Sequence, residues 1–256
     1  SHKRWAEGLK EYSSHNIHIL SLPGRHWKWR MHGAAITLSD RFKALQKRFD
    51  LILVTDMLDL ATFKALSSHQ IGETPIAIYF HENQITYPWS PEDEDVSLKR
   101  DRHYGFINYT SSLCADACLF NSYYHLQSYT RALPSFLSVF PDHQNLATVQ
   151  NINAKSAVLH LGMNLSALLN TPYSEERYQS PTLIWNHRWE YDKNPESFFA
   201  LCDELRTKSI AFQLIVCGER TKSYPAIFNK ARIKFKRELL HWGYASDQSQ
   251  YEKLLL

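Results

Sequence analysis

Seven short apolar runs punctuate the chain, and they constrain its fold more than any other feature. They are "NIHILSL" (16–22), "DLILVTD" (50–56), "PIAIYFH" (75–81), "ACLFNS" (117–122), "SAVLHLG" (156–162), "PTLIWN" (181–186) and "FQLIVCG" (212–218). Most are near-continuous in apolar character rather than alternating, as strands covered on both faces of a parallel sheet require. Amphipathic stretches at 39–49, 99–117 and 195–205 lie between them. Strands alternating with helices predict a doubly wound α/β fold. The segment 164–181 breaks the pattern: it is polar, holds two prolines and has no apolar period. It reads as a linker. The expected organisation is a Rossmann-like domain over 1–165, a linker over 166–181 and a second Rossmann-like domain over 182–256.

A chain of 256 residues, 44% hydrophobic and 21% charged, has material for one large or two smaller packed domains. Its four cysteines have apolar flanks and form no CxxC pair, which predicts reduced thiols and a cytoplasmic setting rather than a disulfide framework. No apolar run is long enough to span a bilayer and no signal peptide is visible, so no membrane partner is expected. The net charge of +3 decides little by itself. Its clustering matters more: "GRHWKWRMH" (24–32) packs Arg25, Lys28 and Arg30 among Trp27 and Trp29. Cations that neutralise phosphates beside rings that stack on bases suit a nucleic-acid contact. The competing reading is a surface loop whose tryptophans anchor it to the core.

Polar residues gather where the strands end. Thr55 and Asp56 follow one strand, His81, Glu82 and Asn83 the next, and Asn121 and Ser122 another. Asn186, His187 and Arg188 close the first strand of the second domain, and Gly218 and Glu219 close the one after it. Open α/β sheets bind ligands at the carboxyl ends of their strands, so two sheets facing a shared cleft are expected. His81-Glu82 is not half of an HExxH zinc site, because position 85 is Ile and the pair ends a strand. No P-loop, GxSxG or GxGxxG is present. A ligand hydrogen bond, acid–base work and a buried capping role all stay open for His81. The acidic run within 90–102 reads as a solvated loop leading into a helix, not as a metal site. Arg188 and Lys193 flank the turn before Asn194-Pro195, a helix start. Two cations at a helix N-terminus suit a diphosphate. The alternative is a pair of surface charges, one of them tied to Glu190 or Asp192.

The motifs "SHKRW", "LPGRHWKWR", "YFHENQITYP", "YGFIN", "CADACLFNS", "FPDH" and "NHRWEYDKNPE", with "HLGMN", "LIVCGE" and "HWGYASDQSQYEKLL", resemble the tRNA-queuosine α-mannosyltransferases. These are retaining glycosyltransferases of the GT-B, family-4 type. The resemblance runs along nearly the whole chain, and "YFHENQ" and "HRWEYDKNP" are its specific parts. It implies a GT-B fold and transfer of mannose from GDP-mannose to queuosine in a tRNA anticodon, with retention and without a metal or other cofactor. It places Arg188 and Lys193 at the donor diphosphate and His81, with Glu82, at the reacting centre. Ser1 and His2 match a loop near that centre, Asn83, Gly218 and Glu219 lie in the donor's vicinity, and Tyr244 matches a loop near the base. It also turns Arg25, Trp27, Lys28, Trp29 and Arg30 toward tRNA.

The family pattern has a strand before "SHK". After "YEKLL" it has a further strand and an acidic motif with two donor-contacting glutamates. Neither is among these residues, so the second domain is expected to be incomplete here. Two other functions compete: a GT-B enzyme with another sugar nucleotide or a small-molecule acceptor, and a catalytically inactive RNA- or nucleotide-binding module.

Overall fold

The computed structural model describes residues 2–90, 93, 95, 98, 102–170, 180–220 and 224–256. It contains two compact units, Ser1–Gly162 and Met163–Leu256. In the first, strands β1 (Ile52–Thr55), β2 (Ile76–Phe80), β3 (Ala117–Phe120) and β4 (Ser156–Val158) form a parallel sheet in that order. Every residue of β2 is buried, which accounts for its unbroken apolar sequence. Phe80 and Phe120 stack across neighbouring strands at 4.8 Å, and Tyr129 packs beside both.

The second unit holds a parallel sheet of β5 (Thr182–Asn186), β6 (Gln213–Cys217) and β7 (Leu239–Gly243), again in chain order. Its core is aromatic: Trp189 stacks on Phe228 at 4.5 Å, with Trp185 and Phe199 against the same ring. Parallel neighbours demand helical crossovers. Pro195–Thr207 and Ile227–Lys234 supply them here.

Four local expectations are corrected. Residues 16–22 form no strand. Leu20 and Leu22 pack against the core without a ladder, and Arg41 Nη1 donates to the Ser21 carbonyl at 2.9 Å. The basic–aromatic stretch is not a loop, because Trp27–Ala44 is one helix. Its buried stripe is Met31, Ala34, Ala35, Ser39 and Phe42. Alanines and a serine make a weak apolar signal, so the period went unread before residue 39. Ser1 lies outside the described residues, while His2 opens a helix, His2–Tyr12, instead of sitting in a loop. Much of the acidic run 90–102 is also outside the described residues, but Asp93 and Asp95 are not solvated: both grip Lys28 Nζ, at 2.7 and 2.5 Å, with side chains 16% and 18% exposed.

In the proposed linker, Ser166–Asn170 is helical and 171–179 lie outside the described residues. β7 is an addition to the sequence reading. It is a half-buried strand at the edge of the described sheet, its pairing with β6 is irregular at Leu214/Ile215, and His241 interrupts its apolar run. The cysteines are free, three of them buried and Cys114 half-buried.

Candidate active site

At the carboxyl ends of β1, β2 and β3 a polar cluster surrounds His81. Asp56, 1% exposed just past β1, accepts the His81 backbone N–H at 2.9 Å and lies 3.4 Å from His2 Nε2. Asn108, fully buried on the Arg102–Cys114 helix, donates to the Asp56 carbonyl at 2.9 Å and accepts the Gln84 N–H at 2.7 Å. Asn121 donates to the His81 carbonyl at 2.8 Å, while its own side-chain oxygen lies 3.1 Å from His125 Nδ1. His160 Nδ1 lies 3.1 Å from the Asn121 carbonyl. The turn after β2 is thus fixed through its main chain from both neighbouring strands.

The His81 ring is held differently. His2 lies 4.1 Å from it, Tyr79 4.9 Å and Trp5 5.0 Å, centroid to centroid. Neither ring nitrogen has a hydrogen-bond partner, although both are buried. Burial, with His2 beside it, pushes the imidazole pKa down to about 4 against the opposing pull of Asp56. His81 is therefore neutral at pH 7, with one nitrogen donating and one accepting. Leaving such groups unmatched costs about 1–3 kcal/mol each, and natural proteins concentrate that cost at functional sites. Burial lowers the His125 pKa as well, and its Nε2 is unmatched too.

Glu82 accepts from Gln84 Nε2 at 3.1 Å. Asn83 is buried and turned into its own loop, its Oδ1 accepting the N–H groups of Ile85 and Thr86. It shapes the turn after β2 as an Asx motif.

In the second unit the strand ends are joined through backbone. Gly218, at φ +149°, approaches the turn after β5 so closely that a Cβ there would lie 1.9 Å from the His187 carbonyl oxygen. Its N–H donates to the Gly243 carbonyl at 3.1 Å, and the Trp189 N–H donates to the Glu219 carbonyl at 3.0 Å. Only glycine fits this position. Beyond it, Asn194 takes a left-handed conformation at φ 55°, caps the Ser197 N–H, and sets Pro195 at the first turn of the Pro195–Thr207 helix. Lys193 directly precedes Asn194, and both it and Arg188 have carboxylates attached: Arg188 to Glu190 at 3.0 Å, Lys193 to Asp192 at 2.7 Å. Glu219 and Tyr244 are exposed.

The basic–aromatic face is divided. Trp29 is 63% exposed, and Arg25 points to solvent. Arg30 Nε donates to the Pro23 carbonyl at 3.3 Å. Lys28 is bound to Asp93 and Asp95, whose hydrogen bonds overcome the effect of burial and raise its pKa. Trp27 lies 5.1 Å from Tyr104, ring to ring. Among the described residues no cluster of His, Cys, Asp and Glu is arranged to hold a metal ion, and no helix is long and apolar enough to cross a membrane.

Asp56, Trp5, Asn121 and His125 were not assigned to a site from sequence. Asp56 and Asn121 carried a usable signal, since both immediately follow strands.

Each of the two units is a parallel α/β sheet with polar groups at its strand ends, the kind of domain from which the GT-B fold is built. A solved α,α-trehalose-phosphate synthase (UDP-forming) from Burkholderia xenovorans has that fold in common, with a TM-score of 0.51 at 11% identity over 91% of this chain and 56% of that one. The chain thus spans about half the length of that structure. Residues 1–163 match the family described as tRNA-queuosine alpha-mannosyltransferase N-terminal. The whole chain is 30% identical to the tRNA-queuosine alpha-mannosyltransferase of Drosophila melanogaster, covering 68% of it. The chain belongs to the tRNA-queuosine α-mannosyltransferase family.

Proposed function

We propose that the protein to which this chain belongs transfers mannose from GDP-mannose to queuosine in a tRNA anticodon, with retention at the anomeric carbon. The observation that carries the reading is the match of the whole chain to 68% of a relative of that name. The geometry is consistent with it. A retaining transfer builds positive charge at the anomeric carbon and negative charge on the departing diphosphate. Cations fixed where the negative charge grows lower the barrier more than they stabilise the ground state.

Arg188, Lys193 and the start of the Pro195–Thr207 helix are the proposed diphosphate site, at which the donor displaces Glu190 and Asp192 from the cations. His81 is the proposed sugar contact. Its neutral imidazole offers a donor and an acceptor in a buried setting, which suits hydroxyl groups. Glu82 stands next to it on the same turn. Ser1, His2 and Asn83 are proposed to border the sugar, and Gly218, Glu219 and Tyr244 the nucleotide. The donor chemistry needs no metal on this reading, since the cations and the helix N-terminus serve the leaving group. The proposed setting is the cytoplasm, where tRNA is the macromolecular partner.

The test uses the complete gene product with labelled GDP-mannose and two tRNA pools, one carrying queuosine and one lacking it. Label in the queuosine pool alone is the expected result. Label in neither pool, with folded protein and intact donor, overturns this acceptor and donor.

A further inference from the structure

The first unit holds a cavity of about 970 Å³ away from its strand ends. It lies between the Trp27–Ala44 helix, the Arg102–Cys114 helix and the segment 137–145. Phe106, Phe140, Tyr109 and Leu137 give it an apolar wall, and Arg102 and His143 are among the polar residues at its border. Core packing explains some of these rings. Tyr109 is buried with its hydroxyl 2.7 Å from Thr148 Oγ1. Phe106 is different: it is 38% exposed, and its contacts with Tyr109 and Phe140, at 5.7 and 5.5 Å, are tilted and edge-on. A ring held by its edges at a cavity wall is a stacking platform.

Charge accompanies it. Arg102 lies four residues before Phe106, on the same side of the helix, and is exposed. Of the cavity's carboxylates, Asp95 is engaged by Lys28, and Asp142 lies 3.8 Å from His143 with its side chain turned largely to solvent. The cavity also adjoins the basic–aromatic helix. His32 stacks on His103 at 4.5 Å and Trp27 meets Tyr104, so rings of both helices meet at the cavity's border.

We propose that this cavity takes one unstacked base of the tRNA, other than the nucleoside that is glycosylated. The base stacks on Phe106 while Arg102 meets an adjacent phosphate. This rests on the reading of tRNA as the acceptor. The volume suits a nucleotide, and stacking on an aromatic ring beside a cation is how single-stranded RNA is held without a sequence code.

The experiment measures tRNA affinity at several salt concentrations for the complete protein and for Phe106→Ala, Phe106→Tyr and Arg102→Ala, alongside transfer of labelled mannose and GDP-mannose affinity. Phe106→Ala is expected to raise the Kd for tRNA about tenfold and to leave donor affinity alone, with Phe106→Tyr close to wild type. Arg102→Ala, which leaves the rings of the wall in place, is expected to lower the salt slope by about one. Wild-type transfer with tRNA affinity and salt slope unchanged in all variants overturns the cavity site and spares the function. Wild-type tRNA binding without transfer, weakened by Phe106→Ala and rescued by Phe106→Tyr, supports the cavity and sinks the mannosyl transfer. No tRNA binding by the wild type overturns both.

Discussion

The two sets of strand ends solve opposite problems. Around His81 the structure surrounds a neutral ring with other rings and leaves both of its nitrogens without partners. Around Arg188 and Lys193 it supplies full charges and partners each one locally. On the proposed function the first arrangement would suit uncharged hydroxyls, and the second an anion strong enough to take two cations from their carboxylates. Desolvation favours a neutral ligand and charge pairing an ionic one, so the proposal assigns the sugar to the first and its diphosphate to the second.

The comparison breaks most readily at Gly218. Replacing it with Ala drives a Cβ into the His187 carbonyl and is expected to cost more than about 2 kcal/mol, read as a lower midpoint in urea. An unchanged midpoint would mean the turn after β5 yields freely and does not fix Arg188.

His81→Ala is the next largest change expected. Turnover falls by about 100-fold or more while GDP-mannose affinity moves little, and a fully active variant removes His81 from the chemistry. The same residue carries a stability signature. Its folded pKa, about 4, lies below the ordinary 6.5, so between those values the unfolded chain binds the extra proton. Stability contributed by neutral His81 is complete above pH 6.5 and is lost as pH falls toward 4. His125 acts in the same direction. Urea midpoints from pH 7 to pH 4.5 should therefore fall less steeply in His81→Phe than in wild type. Parallel curves would assign the acid sensitivity elsewhere.

Arg188→Ala sharpens the other side. Donor affinity is expected to fall about tenfold. Glu190→Gln, which frees Arg188, is expected to improve GDP binding a few-fold by calorimetry. Weaker binding in Glu190→Gln would show that the carboxylate orients the arginine instead of competing for it.

The smallest effect concerns the basic helix. Joint replacement of Arg25, Lys28 and Arg30 is expected to reduce the salt slope of tRNA binding by about two and not three, because Asp93 and Asp95 already neutralise Lys28. A drop of three would mean that RNA displaces both aspartates.

What sequence conveyed follows from what burial imprints on it. β2 is buried along its length, so its apolar run and the polar break at His81 were both legible. Residues 16–22 have a similarly apolar look yet join no sheet among the described residues, because packing and strand pairing are separate requirements and only the first marks composition. The Trp27–Ala44 helix escaped notice because alanines and a serine form much of its buried stripe. At the site, His81 and Arg188 stood beside motifs. Asp56 and Asn121 were legible as strand-end residues, but their bonds to main-chain atoms at His81 were not, because such long-range geometry leaves no local pattern. The carboxylates on Arg188 and Lys193 were weighed as an alternative to an anion site. In the folded chain both cations carry such a carboxylate, Arg188 that of Glu190 and Lys193 that of Asp192.

The junction of Gly218 with the turn after β5 consists of amide and carbonyl atoms. Main chain is common to all residues, so His187 and Glu219 can change identity without moving the junction. Divergence at those two positions is therefore a poor measure of change in the junction, whereas one methyl group at position 218 is a large one.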